Sequence, residues 1–168
     1  MAIKKSLWFT ATLFSMSFAS AATLQVPIYK TIKQGVGRPI GTVTFQDTQY
    51  GLLIKPHLKD LKPGLHGFHI HEKPDCSNDG KQAGGHFDPQ GTDQHKGPYN
   101  PNGHLGDLPV LYVQSDGQAD VPVLAPRLSV HQIQGHSVMI HQQGDNYSDH
   151  PEALGGGGAR VACGVIPK

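Results

Sequence analysis

Apolar residues recur at every second position in short bursts along this chain, and Gly, Pro, Asn or Asp interrupts each burst before it grows long. Leu24, Val26 and Ile28 mark one side of Thr23 to Lys30, and Gly41, Val43 and Phe45 alternate with Ile40, Thr42 and Thr44. A period of two is the signature of a strand with one buried face. Further candidates run Gln49 to His57, Leu65 to His71, Leu108 to Val113, Gly117 to Leu124, Val130 to Gln134, Ser137 to Gln142 and Arg160 to Ile166. Such a series predicts an all-β antiparallel sandwich or barrel. The 21 Gly and 13 Pro supply turns, and no segment offers an amphipathic helix longer than about three turns, which argues against a helix bundle. At 168 residues the chain can bury one real core. Its 14 Lys+Arg against 13 Asp+Glu argue against a nucleic-acid partner, which calls for a basic excess.

The first residues read as an address. Lys4 and Lys5 precede an apolar run from Leu7 to Phe18, and Ala19-Ser20-Ala21 follows as a small-residue cleavage pattern. This predicts a cleaved secretory signal over residues 1–21, cut after Ala21 or Ala22, with residues 22–168 as the exported domain. The run is too short for a permanent anchor, so no membrane attachment is expected after cleavage. Export permits a disulfide, and Cys76 and Cys163 are the only pair available. Closing their loop would stabilise the fold by at most roughly 4–5 kcal/mol in the chain-entropy model.

Two stretches break the strand rhythm, Glu72 to Gly106 and Gln143 to Gly158, and long irregular segments in a small domain are usually functional. They carry four of an unusual total of 11 His, namely His86, His95, His104 and His150. In Gly64-Leu65-His66-Gly67-Phe68-His69-Ile70-His71, alternation puts His69 and His71 on one face with Gly67 leaving room beside them. Phe68, Ile70 and His66 fall on the other, core-facing side. His141 ends another strand and could add a third nitrogen. The first loop contributes His86, His95, His104 and Asp107, and three imidazoles with one carboxylate make a four-coordinate set that zinc accepts.

The segments Gly67-Phe68-His69-Ile70-His71, Gly85-His86-Phe87, His104-Leu105-Gly106-Asp107 and Gly158-Ala159-Arg160-Val161-Ala162-Cys163-Gly164-Val165-Ile166 resemble those of the copper,zinc superoxide dismutases, in order and separation. With the export signal, the likeness is to the bacterial periplasmic branch. The resemblance implies an eight-stranded Greek-key barrel or flattened sandwich with two long metal-binding loops. It implies copper held by His69, His71, His86 and His141, and zinc held by His86, His95, His104 and Asp107, so that His86 is shared. It further implies dismutation of superoxide to dioxygen and hydrogen peroxide, one copper and one zinc per subunit, and a periplasmic location.

Arg160 stands three residues before Cys163 and matches the family's anion-guiding arginine; a permanently charged guanidinium suits superoxide. Asp145 matches a carboxylate that links the two ligand sets from behind, with Asp149 as its rival. Lys73, Lys81 and Lys96 are candidates for steering the anion, because the second loop carries Asp145, Asp149 and Glu152 and no Lys or Arg. His66 is expected to bond to backbone, and His57, His131 and His136 to lie at the surface or at strand ends. His150 is a weak candidate for an accessory contact. Two rival readings are a non-catalytic periplasmic metal buffer on the same scaffold and a zinc hydrolase built on His69, His71 and His141. The sequence leaves oligomeric state open, a homodimer included.

Overall fold

The computed structural model describes residues 21–168. The leader read at 1–21 therefore lies outside the described residues, apart from Ala21. Strands β1 (Thr23–Thr31), β2 (Val36–Thr48) and β3 (Gly51–Leu58) form an antiparallel meander in which Val26 opposes Val43 and Val43 opposes Pro56. A register shift between Ile28 and Tyr29 falls where β1 meets Pro39, a residue with no N–H for the ladder. Then come β4 (Gly64–His66), β5 (Phe68–His71), β6 (Leu111–Val113), β7 (Val123–Ala125), β8 (Ser137–His141) and β9 (Arg160–Val165).

The larger sheet runs β5-β8-β9-β1-β2-β3-β7 and the smaller pairs β4 with β6, all antiparallel. Gly67 alone separates β4 from β5, and Ala119 bridges Leu58 of β3 ahead of β7. The two sheets thus join into one curled ring with Greek-key connections. The expected single strand Leu65 to His71 is two segments, which makes nine among the described residues instead of eight. Alternation holds in the walls: Val26, Ile28, Val43, Phe45, Ile54, Phe68, Ile70, Val138 and Ile140 point inward and are fully buried.

Three expectations need correction. Val130 to Gln134 is not a strand: a helical turn, α1 (Val130–Ile133), occupies it. Its two apolar residues, three apart, both enter the core, and the Val130 N–H donates to Asp47 Oδ1 of β2 at 2.7 Å. That tertiary partner satisfies a first-turn donor and overrides the β preference of Val and Ile. Gly117 to Leu124 shortens to Val123–Ala125, because a tight turn uses Gly117 N–H on Gln114 O. Leu108 to Val113 begins only at Leu111, because the preceding residues finish the first metal-loop stretch.

Candidate metal centre

The site grows from one edge of the ring. In β5 and β8, His69 pairs with Met139 and His71 with Ser137, so His69, His71 and His141 share an outward face while Phe68 and Ile70 fill the core. Gly67 lies opposite His141, whose N–H donates to the Gly67 carbonyl at 2.8 Å. A side chain at Gly67 would stand 3.1 Å from the His69 ring and 3.3 Å from His141 Cβ, so only glycine leaves these imidazoles their space. The other edge of β5 is covered by the middle and the far end of the first loop: Phe87 N–H donates to Ile70 O and Ile70 N–H to Gly106 O, each at 2.8 Å. That double pinning brings His86 and Asp107 together across 21 positions of sequence.

Each imidazole then has one nitrogen engaged and another left over. His71 Nδ1 donates to Gly84 O at 3.0 Å, His141 Nδ1 to Gly158 O at 3.4 Å and His69 Nε2 to Asp145 Oδ2 at 2.7 Å. The remaining nitrogens, His71 Nε2, His141 Nε2 and His69 Nδ1, are buried without a hydrogen-bond partner. Buried polar atoms are seldom orphaned, and three converging lone pairs ask for a cation. Donor atoms of His69, His71, His86 and His141 all lie within 4.8 Å of one another. A second such group joins His69, His86, His95 and Asp107. Around Asp107 Oδ1 stand His86 Nδ1 at 3.0 Å, His95 Nδ1 at 3.0 Å and His104 Nδ1 at 3.5 Å. Two donors each about 2.0 Å from a tetrahedral ion sit about 3.3 Å apart, so these four atoms could hold zinc. His69 is near this group too, but its Nε2 is taken by Asp145, which leaves its Nδ1 for the first group.

Above these rings opens a cavity of about 520 Å³ lined by His86, His141, Gln143, Glu152, Leu154 and Arg160. Arg160 reaches it because β9 bulges: Ile140 opposes Ala162, yet the next residue, His141, opposes Arg160. The bulge turns the guanidinium onto the imidazole face. Its two terminal nitrogens donate to Gly80 O at 2.6 Å and Gly84 O at 2.7 Å. The Cys76–Cys163 disulfide is formed, fastening the segment that carries those carbonyls to β9.

Comparison with known proteins agrees with this geometry. The copper/zinc superoxide dismutase family model matches residues 39–166. The chain belongs to this family. A Cu-Zn superoxide dismutase of Legionella pneumophila is 53% identical, over 97% of this chain and 98% of its own length. The Cu/Zn superoxide dismutase structure from Brucella abortus superposes with a TM-score of 0.82 at 46% identity, covering 86% of this chain and 99% of that one. The solution structure of the monomeric enzyme from Salmonella enterica gives 0.76 at 50% identity, with 86% and 99% covered. Copper and zinc are the metals of this family, and both donor groups fit them: a nitrogen-only set suits copper, and a set with one carboxylate suits zinc.

Electrostatics follow the same division. Burial, then the neighbouring His86, keeps His69 and His71 well below the ordinary histidine pKa. His141 is lowered to about 4, by burial first and then by His86. Neutral imidazoles are the metal-binding form. Burial also opposes charge on His95, but the Asp107 carboxylate 3.0 Å from its Nδ1 and the hydrogen bond to Asp145 prevail and raise it to about 9. Burial would raise Asp107 and Asp145, yet their histidine partners hold both far below the usual carboxylate range. Without metal, His95 keeps a proton between two carboxylates; zinc at Nδ1 would take that proton's place.

Of the two rival acids in the second loop, Asp145 spans the groups, with Oδ2 on His69 Nε2 and Oδ1 on His95 Nε2, both at 2.7 Å. Asp149 does not touch an imidazole nitrogen; its Oδ2 accepts the His95 backbone N–H at 2.8 Å. His66 sits between the carbonyls of His141 and Lys62, at 2.6 and 2.7 Å, bonded to backbone as expected. His57, His131 and His150 are exposed, and the His136 ring packs tilted against Phe87 while donating to Glu72 O. Lys81, with Arg160 and Gly158, lines an adjoining cavity.

Some supporting residues escaped the sequence reading. Arg127 donates to Gly103 O and His104 O from outside both loops, at 2.8 and 3.3 Å. Tyr147 ties the second loop to the first: its ring lies against Gly97 and its hydroxyl accepts Val110 N–H at 2.9 Å. Glu72 Oε2 accepts Gly85 N–H at 3.0 Å, next to His86. No motif announces these roles, because each is a contact between backbone and a distant side chain.

Proposed function

We propose that this chain disproportionates superoxide, two anions and two protons giving one dioxygen and one hydrogen peroxide. His69, His71, His86 and His141 hold copper, and His86, His95, His104 and Asp107 hold zinc. The observation that carries the reading is His86 itself. Its Nδ1 faces Asp107 at 3.0 Å in one donor group, and the ring also belongs to the other group. Copper bound there would supply the one-electron redox chemistry, and His86 would be held in place by its zinc-side nitrogen. With Nδ1 committed to the zinc side, His86 would have only Nε2 to offer, to copper or to a proton but not to both, so it would carry the product's proton only while off the metal. Arg160 draws the anion into the cavity with N–H groups not spent on Gly80 and Gly84. Lys81, and more remotely Lys73 and Lys96, add positive potential, while Glu152 on the cavity wall opposes it.

The same reading makes residues 1–21 a signal removed on export, residues 22–168 the mature domain, and the periplasm its compartment. The disulfide is at home there. No helix among the described residues is long and apolar enough to cross a membrane. The test is to purify the mature protein, quantify copper and zinc, and measure superoxide decay in the same sample. Activity that scales with copper content, near one copper and one zinc per chain, is the expected result. Full loading without turnover would move the chain to the metal-buffer reading.

A further inference from the structure

Asp149 has a place of its own between the two loops. Its Oδ2 accepts the backbone N–H of His95 at 2.8 Å, and its Oδ1 accepts the backbone N–H of Leu154 at 3.1 Å. His95 belongs to the second donor group, and Leu154 lines the cavity over the first. One carboxylate thus fastens the main chain of a proposed zinc ligand to the wall of the substrate cavity.

The Leu154 end is held in a conformation it would not choose. Leu154 sits at φ 54°, ψ 41°, where a bulky side chain crowds its own backbone. Gly155 follows at φ 74° and donates to Ser148 O at 3.0 Å. A side chain at Gly155 would collide with Asp145 Oδ1 and lie 2.7 Å from His95 Nε2, so this turn rests directly on the Asp145–His95 hydrogen bond. A strained turn persists only when its surroundings over-determine it, and the Asp149 bond is one of the restraints.

We propose that Asp149 is a positioning residue that couples the zinc site to the channel wall: fixing His95 fixes Leu154, and loss of zinc frees both. The coupling rests on the zinc assignment made above. The two oxygens belong to one planar carboxylate, so a shift of the His95 main chain that drags Oδ2 also tilts Oδ1 and weakens its bond to Leu154.

The test is a cycle of variant against zinc, read by NMR-detected amide exchange of His95 and Leu154 in the full protein with copper bound. In the native sequence, zinc removal should speed exchange of Leu154 roughly tenfold or more. Asp149→Ala should do the same with zinc still bound, and should release zinc to a chelator on the order of 10-fold faster. Zinc removal from Asp149→Ala should then add less at Leu154 than it does in the native sequence, the remainder passing through the Asp145–His95 bond beneath Gly155. Asp149→Asn, which keeps a single acceptor oxygen, should fall between and guards against a variant that fails to fold. Effects of zinc and variant that simply multiply would overturn the coupling even where zinc binds normally. A native protein that takes up no zinc would instead overturn the metal assignment, and the coupling with it.

Discussion

An imidazole binds a metal only through a nitrogen free of its proton, so the partner of its other nitrogen decides which one is offered. Gly84 O, Gly158 O and Asp145 make that choice for His71, His141 and His69. The Gly84 carbonyl serves twice, since it also accepts from Arg160 at 2.7 Å. The same atom therefore orients a histidine of the nitrogen-only set and the cation beside it. Arg160→Ala should lower the second-order rate constant for superoxide by roughly 10-fold at low salt, with copper and zinc content unchanged. Pulse radiolysis with metal analysis on one sample checks this, and a native rate would remove the arginine from the substrate path. Arg160→Lys should recover only part of the loss, because a compact ammonium lacks the planar fork that bonds both carbonyls and keeps three N–H groups to spare.

At the scale of elements, the centre is built where strands deviate from regularity. Gly67 breaks one strand so that β4 pairs with β6 and β5 with β8, and the bulge before His141 re-aims Arg160. The open edge of β5 is closed by Phe87 and Gly106 of the first loop, which turns an irregular segment into a fixed ligand platform. The disulfide completes this element by holding the Cys76 segment against β9. Replacing both cysteines, Cys76→Ser with Cys163→Ser, should cost roughly 2–5 kcal/mol of stability. Activity per bound copper should fall as well, since Gly80 and Gly84 then hold Arg160 less firmly. Thermal melts beside metal-normalised activity test both parts; a lower Tm with full activity per copper would confine the disulfide to stability.

For the whole molecule, metal and pH act on the same buried cluster. In the metal-free protein His141 titrates near 4 instead of near 6.5, so between these values the unfolded chain binds more protons and stability falls as pH falls. His69 and His71 act in the same direction. His95 is raised to about 9, so its contribution is full below about 6.5 and is lost as pH climbs through 9. Asp107 and Asp145, both lowered, lend stability above about pH 4 that fades only in stronger acid. The metal-free protein should therefore be most stable near pH 6–7, with Tm about 5 °C or more lower at pH 4.5 and at pH 9.5. Bound metal excludes those protons and should flatten the profile between pH 6 and 9. Calorimetry of chelated and loaded protein across this range decides it.

Sequence alone determined whatever depends on near neighbours or on simple counts. Alternation in Thr23 to Lys30 and Ser137 to Gln142 placed strands because side chains flip with every residue. The same rule put His69 and His71 on one face, with Phe68 and Ile70 in the core. A single cysteine pair left one disulfide to form. The motifs from Gly67 to His71 and from Gly158 to Ile166 carried the family, and with it the grouping of His86, His95, His104 and Asp107. Only tertiary structure decided the rest. Val130 to Gln134 has strand-forming residues, yet Asp47 from another strand caps it as a helix turn. The resemblance favoured Asp145 over its rival Asp149, and the structure shows why they part: one reaches two imidazoles while the other reaches two backbone amides. Arg127, Tyr147 and the bulge beneath Arg160 leave no local signature. Each depends on a partner far along the chain, and period-two alternation carries no information about which distant backbone group will be in reach.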